Sequence, residues 1–167
     1  MFADQKVSIP LVLRCADKND LQELTALGDA GFSLSDASKG GLTALHCAAR
    51  NGHADVIAHL LRNACDPNAQ DVFGDTALHI SICYSHVGCA LLLARHDQLQ
   101  PDVCDKLGRS ALHVLAETFA SADVSDDLKA LVEALLLKGF KPNVADKMGR
   151  SPESIAKSDG LRALLKQ

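Results

Sequence analysis

Histidine, cysteine and serine are the residues in this chain whose chemistry first asks for an explanation. Seven histidines could ligate a metal or carry protons, and six cysteines could bind zinc, pair as disulfides or act as nucleophiles. Three of the histidines, His46, His79 and His113, end near-identical hexapeptides: GLTALH, GDTALH and GRSALH. No two of Cys15, Cys47, Cys65, Cys83, Cys89 and Cys104 have C-x-x-C spacing. The chain carries no HExxH, phosphate loop, nucleophile elbow or paired-carboxylate arrangement. Ser110 and Ser151 fall where a hydroxyl caps a helix, and nothing places a base beside either. Catalysis, a bound metal and a cofactor are therefore not expected.

What the histidines mark is a period. The hexapeptides begin at Gly41, Gly74 and Gly108, and a degenerate copy, GRSPES, begins at Gly149. The steps are 33 (74 minus 41), 34 (108 minus 74) and 41 (149 minus 108). Self-similarity of this length is the signature of stacked supersecondary units.

The segment from Ser38 to Gln70 shows what one unit must be. Gly40 and Gly41 punctuate a turn, and Thr43 sits where a helix N-cap belongs. Leu45, Ala48 and Ala49 follow at helical spacing, until Asn51-Gly52 supplies a left-handed stop. A second apolar run, Val56, Ile57, Leu60 and Leu61, ends at the turn Asp66-Pro67-Asn68. Each helix is about ten residues, too short to persist alone in water. Stability must come from stacking, with alanines allowing close approach and leucines filling the space between units. Stacking also sets successive TALH histidines roughly one helix spacing apart, 8–10 Å. Zinc ligands must converge at about 2 Å, so the ladder is not a metal site.

The pattern GxTALHxAAxxGHxxVxxxLL, closed by CDPNAQD, resembles the ankyrin repeat, and the likeness covers nearly the whole chain. The resemblance implies an all-α solenoid of helix-turn-helix units joined by β-turn or hairpin loops. It also implies that the TALH histidines are structural, bridging adjacent units through backbone hydrogen bonds. His53 and His86, ahead of the second helices, read as structural too, and His59 and His96 as exposed.

On this reading residues 1–167 form a single domain of about five units, near 5–37, 38–70, 71–104, 105–145 and 146–167. The first unit lacks the GxTALH entry, and Ile9-Pro10-Leu11 stands in its place. Its second helix is recognisable from Leu21 to Asp29. Terminal units of a stack meet water on one face and are expected to be atypical. In the fourth unit an insertion around Thr118–Asp127 separates the helices, with Phe119 and Val124 able to tuck it down. In the fifth, Glu153 and Ser154 replace the Leu and His of earlier units, as a polar C-terminal cap would; a chain cut from a longer protein is the other reading.

Composition agrees with short-helix packing: 47% apolar residues, but only 4% aromatic and no tryptophan. A net charge of −4 does not recommend nucleic acid as a partner. No run approaches the roughly 18 apolar residues of a membrane span, and the N-terminal apolar stretch is short for a secretory signal. Reduced thiols in an intracellular protein, cytoplasmic or nuclear, are the expectation, and a monomer by itself.

Function then falls to the positions the repeat leaves free. Asp71, Asp105 and Asp146 open successive units and can satisfy turn amides. The next two residues are turn tips: Val72 and Phe73, Lys106 and Leu107, Lys147 and Met148. One past the glycine come Asp75, Arg109 and Arg150; at the exposed ends of the first helices lie Arg50, Tyr84 and Glu117. In the family resembled, tips and first-helix ends line a concave surface where partners dock. Carried onto this chain, they give an aliphatic-aromatic line of Phe73, Leu107, Met148 and Tyr84 beside a basic row of Lys106, Arg109, Lys147 and Arg150. That combination suggests another protein as partner, with an acidic and partly hydrophobic segment. Lateral packing of Phe73, Leu107 and Met148 between neighbouring tips is a compatible reading. The expected function is a non-catalytic protein-interaction module. The alternative is a freestanding inhibitor or regulator of a transcription factor or kinase, as ankyrin-type inhibitors are.

Overall fold

The computed structural model describes residues 5–101 and 103–166, with side chains from residue 10 onward. Ten helices follow one another in pairs, and no strand occurs among the described residues. The first members are α1 (Gln5–Asp17), α3 (Ala44–Asn51), α5 (Ala77–Cys83), α7 (Ala111–Thr118) and α9 (Pro152–Ile155). The second members are α2 (Leu21–Asp29), α4 (Ala54–Arg62), α6 (Val87–Ala94), α8 (Asp126–Leu137) and α10 (Asp159–Leu165). Each first helix packs on the next first helix, and each second helix on the next second helix, so two rows run side by side.

Why the chain folds this way is visible at each helix start. Thr43, Thr76 and Ser110 cap α3, α5 and α7, and the histidine three residues on completes a capping box. The cap residue's N–H donates to the histidine Nδ1 at 3.1 Å (Thr43), 3.3 Å (Thr76) and 3.1 Å (Ser110). Because Nδ1 accepts, the ring proton sits on Nε2. Nε2 then donates to the carbonyl of a residue in the next unit: His46 to Asp75 at 3.0 Å, His79 to Arg109 at 3.2 Å, His113 to Arg150 at 3.1 Å. Both ring nitrogens are spent on the fold, which leaves none for a metal or a substrate. His53 and His86 work in the opposite direction, donating from Nε2 to Asp17 O and Arg50 O of the preceding unit, each at 3.0 Å.

The core lies between the rows and between successive pairs. Leu45, Ile57, Leu78, Ile82, Leu112 and Leu131 are almost wholly buried, and Ala44, Ala48, Ala77, Ala90, Ala111 and Ala116 let the backbones close up around them. Cys15, Cys47, Cys65 and Cys89 are buried among them as small apolar residues. Burial pushes the Cys47 and Cys65 thiols up to about 11, which suppresses the reactive thiolate.

Between helices α3 and α4 the backbone turns through Gly52, with φ of 75°. A Cβ there would lie 2.7 Å from the His86 ring, so this position needs glycine for space as well as for angle. The equivalent turn in the next pair uses Ser85 at φ 60°. An L-residue in that region is strained, and Ser85→Gly is expected to stabilise the chain by about 1 kcal/mol. A urea midpoint that fails to rise would contradict this.

Two expectations change on contact with the structure, and the insertion gains a definite place. Pro10 does not open the first helix but lies within α1. His59 and His96 are half-buried, not exposed: His59 sits 3.3 Å from the Asn63 amide, and His96 Nδ1 is buried without a hydrogen-bond partner among the described residues. The insertion after α7 is folded against the last helix pair. Phe119 and Val124 pack on the core, Val124 lies against Gly160, and Ala120 O accepts the N–H groups of Lys157 and Ser158 at 3.0 and 2.8 Å.

Candidate functional site

The third to fifth units each open with a tight turn held by the first aspartate, while in the second unit the Ser38 hydroxyl accepts the Leu42 N–H at 3.1 Å. Asp105 Oδ1 accepts the amides of Leu107 and Arg109, both at 2.8 Å, and Asp71 and Asp146 do the same for Phe73 and Asp75 and for Met148 and Arg150. The tips are stitched to one another by backbone bonds: Val72 N–H to Gly40 O and Lys106 N–H to Phe73 O at 2.9 Å, Lys147 N–H to Leu107 O at 3.0 Å. A line of fixed tips therefore stands beside the row of first helices.

Between tips and helices runs a groove of about 430 Å³. Six of the residues singled out from the sequence line it: Arg50, Phe73, Asp75, Tyr84, Arg109 and Glu117. Val72, Lys106, Leu107, Lys147, Met148 and Arg150 lie outside that lining, on the tips or farther along the row. The sequence reading left out Leu42, Ile80 and Val114 from the groove wall. Ile80 and Val114 each follow a TALH histidine, a position whose residue varies along the chain (Cys47, Ile80, Val114), and that variation was the available signal. Phe73 is 67% exposed, Tyr84 54%, Leu107 50% and Met148 68%, so half or more of each side chain on the apolar line is open to solvent. A second depression of about 520 Å³ lies where Ala94, Ala130, Ala134 and Leu137 of α6 and α8 meet. Arg95, Lys138, Asp97 and Glu133 balance its charge, and it contains no aromatic side chain.

The basic row needs correction. Arg109 binds Asp105 Oδ2 and Glu117 Oε2, each at 2.7 Å. Arg150 binds Asp146 Oδ2 at 2.7 Å and Glu117 Oε1 at 2.8 Å. Glu117 thus bridges arginines of two successive units, and three carboxylates more than offset two guanidinium groups. Burial works against the Asp105 carboxyl, yet the amide and guanidinium of Arg109 hold it below the usual carboxylate range. Arg50 is likewise engaged, with Asp17 at 2.8 Å. Lys147 Nζ donates to Lys106 O at 2.7 Å, which fixes it at the tips.

Stapled histidines, aspartate-held tips and paired helices in register now stand together, and the ankyrin-repeat description matches residues 11–99 and 45–146. This chain belongs to the ankyrin-repeat family. Ankyrin repeats bind other proteins, and the repeat itself is generally not a catalytic unit. A probable serine/threonine-protein kinase of Dictyostelium discoideum is 26% identical over 135 residues, covering 78% of this chain and 15% of that protein. An NAD-capped RNA hydrolase of Homo sapiens is 36% identical over 80 residues, 47% of this chain and 17% of that protein. A palmitoyltransferase of Lachancea kluyveri is 36% identical over 105 residues, 60% of this chain and 14% of that protein. The chain thus spans less than a fifth of the length of these relatives, and their enzymatic names describe proteins much larger than the shared repeats. Among the described residues of the ankyrin chain, no helix is long and apolar enough to cross a membrane, and no group of three or more His, Cys, Asp or Glu could hold a metal ion.

Proposed function

We propose that this ankyrin chain is a non-catalytic protein-interaction module that docks a partner in the groove between its hairpin tips and first helices. The observation that supports this is the convergence of exposed Phe73 and Tyr84 on one 430 Å³ groove whose walls are fixed by backbone hydrogen bonds. Exposed aromatic side chains at a concavity are the usual anchors of protein recognition, and a prearranged wall lowers the ordering cost of binding.

Phe73 and Tyr84 are the residues to remove, because Arg109 carries ion pairs of the fold and its loss would confuse binding with stability. Affinity purification from native cells with the wild-type chain and with a Phe73→Ala, Tyr84→Ala chain tests the reading. Partners recovered by the first are expected to be lost from the second, with an unchanged helical circular dichroism spectrum. Equal recovery by both chains would refute the groove as the docking surface.

A further inference from the structure

One past each hairpin glycine the units carry Leu42, Asp75, Arg109 and Arg150. In the last two, the arginine closes an ion pair with the aspartate four residues before it and with Glu117. Asp75 reverses the pattern. Its backbone is held as in its neighbours, its N–H donating to Asp71 Oδ1 at 3.0 Å and its carbonyl accepting from His46 Nε2 at 3.0 Å. Its carboxylate, however, receives no hydrogen bond or ion pair from any described residue. Burial, together with the charges of Asp71 and Asp105, raises its pKa above the ordinary range. Arg109, which acts on it favourably, is already committed to Asp105 and Glu117. A half-buried carboxylate with like charges around it is a cost to the free chain. A cation brought by a partner would remove that cost.

The same groove presents Phe73, Ile80 and Tyr84 beside Asp75. Building on the docking role proposed above, we infer that the groove takes a protein segment carrying an arginine or lysine next to a large apolar side chain. The cation seats on Asp75 and the apolar group lies against Phe73, Ile80 and Tyr84. The occupant is basic where the sequence alone suggested an acidic one, because the guanidinium groups of the groove are used internally. A net charge of −4 favours the approach of such a segment.

Asp75→Arg is the informative variant. It recreates beside Asp71 the pairing that Arg109 makes with Asp105, so the fold is expected to persist while the open carboxylate is lost. A random-peptide phage library would be panned on the wild-type chain, and the leading peptide labelled with fluorescein for polarisation measurements. Selected peptides are expected to place Arg or Lys near Phe, Leu, Met or Trp. The leading peptide is expected to bind about tenfold more weakly to the Asp75→Arg chain. Replacing the peptide's cation by alanine should cost a similar factor on the wild-type chain and little on the variant. Acidic or uncharged selected peptides, failure to select any, or equal affinity for both chains would overturn the inference. A peptide that ignores Asp75→Arg but is lost on Phe73→Ala, Tyr84→Ala refutes the charge assignment and leaves the docking groove standing. A peptide that ignores both substitutions refutes both.

Discussion

Acidification from pH 7 to pH 4 is expected to take about 3 kcal/mol out of the stability of the stack through His79 alone. This histidine is 2% exposed, and burial lowers its pKa to about 4 from the ordinary 6.5. Its Nδ1 accepts the Thr76 N–H, so the folded state needs the neutral ring. Below 6.5 the unfolded chain takes up a proton that the folded chain refuses. Stability contributed by the neutral form is therefore whole above 6.5, falls as pH drops towards 4, and levels off below. His46 and His113, also lowered by burial, act in the same sense. Asp75, with its raised pKa, opposes them, since acid neutralises a carboxylate that burial and the charges of Asp71 and Asp105 disfavour in the folded chain more than in the unfolded one. The control is His79→Gln, whose amide can accept from Thr76 and donate to Arg109 O without titrating. Urea midpoints of the two chains should converge or cross as pH falls from 7 to 4.5. Parallel losses would show that the staple is not what acid breaks.

The second large effect lies in the core. Leu112, fully buried on α7, is expected to cost about 3 kcal/mol when replaced by alanine, within the 2–5 kcal/mol found for such truncations. Its helix packs between α5 and α9, so loosening that helix weakens the junctions on both sides of one unit. Because stability in a stack is the sum of units and the junctions between them, the last two helix pairs should unfold before the rest. Hydrogen exchange should show α7 to α10 losing protection ahead of α3 to α6. Leu137→Ala is the comparison: its side chain is 89% exposed, and a change within about 0.5 kcal/mol is expected. Equal losses in the two variants would contradict the burial pattern.

The fold was readable because a 33-residue period is a global constraint written locally. The cap at Thr43, the stop at Gly52 and the second helix at Leu21–Asp29 follow from turn chemistry and apolar spacing, and the structure places them there. Charge was harder. In the sequence, Arg109 and Arg150 read as a basic row because their partners are dispersed: the position of Asp105 and Asp146 already explains them as turn residues, and Glu117 lies on the helix that follows Arg109. An aspartate that caps a turn with one oxygen and pairs an arginine with the other serves two purposes, and spacing alone shows only the first. Phe119 and Val124 advertise their role in folding the insertion down by being apolar, whereas the Ala120 carbonyl leaves no mark in side-chain pattern.

Two sets of histidine staples have a mechanical consequence. The junction between the α3–α4 and α5–α6 pairs is tied in both directions, by His46 reaching forward and His86 reaching back. At the following junction His79 reaches forward, but the inserted segment occupies the place from which a backward-reaching histidine would act. The groove straddles this seam, with Phe73 and Tyr84 on one side and Arg109 and Glu117 on the other. A partner lying in the groove would therefore span the junction that carries one histidine tie in place of two.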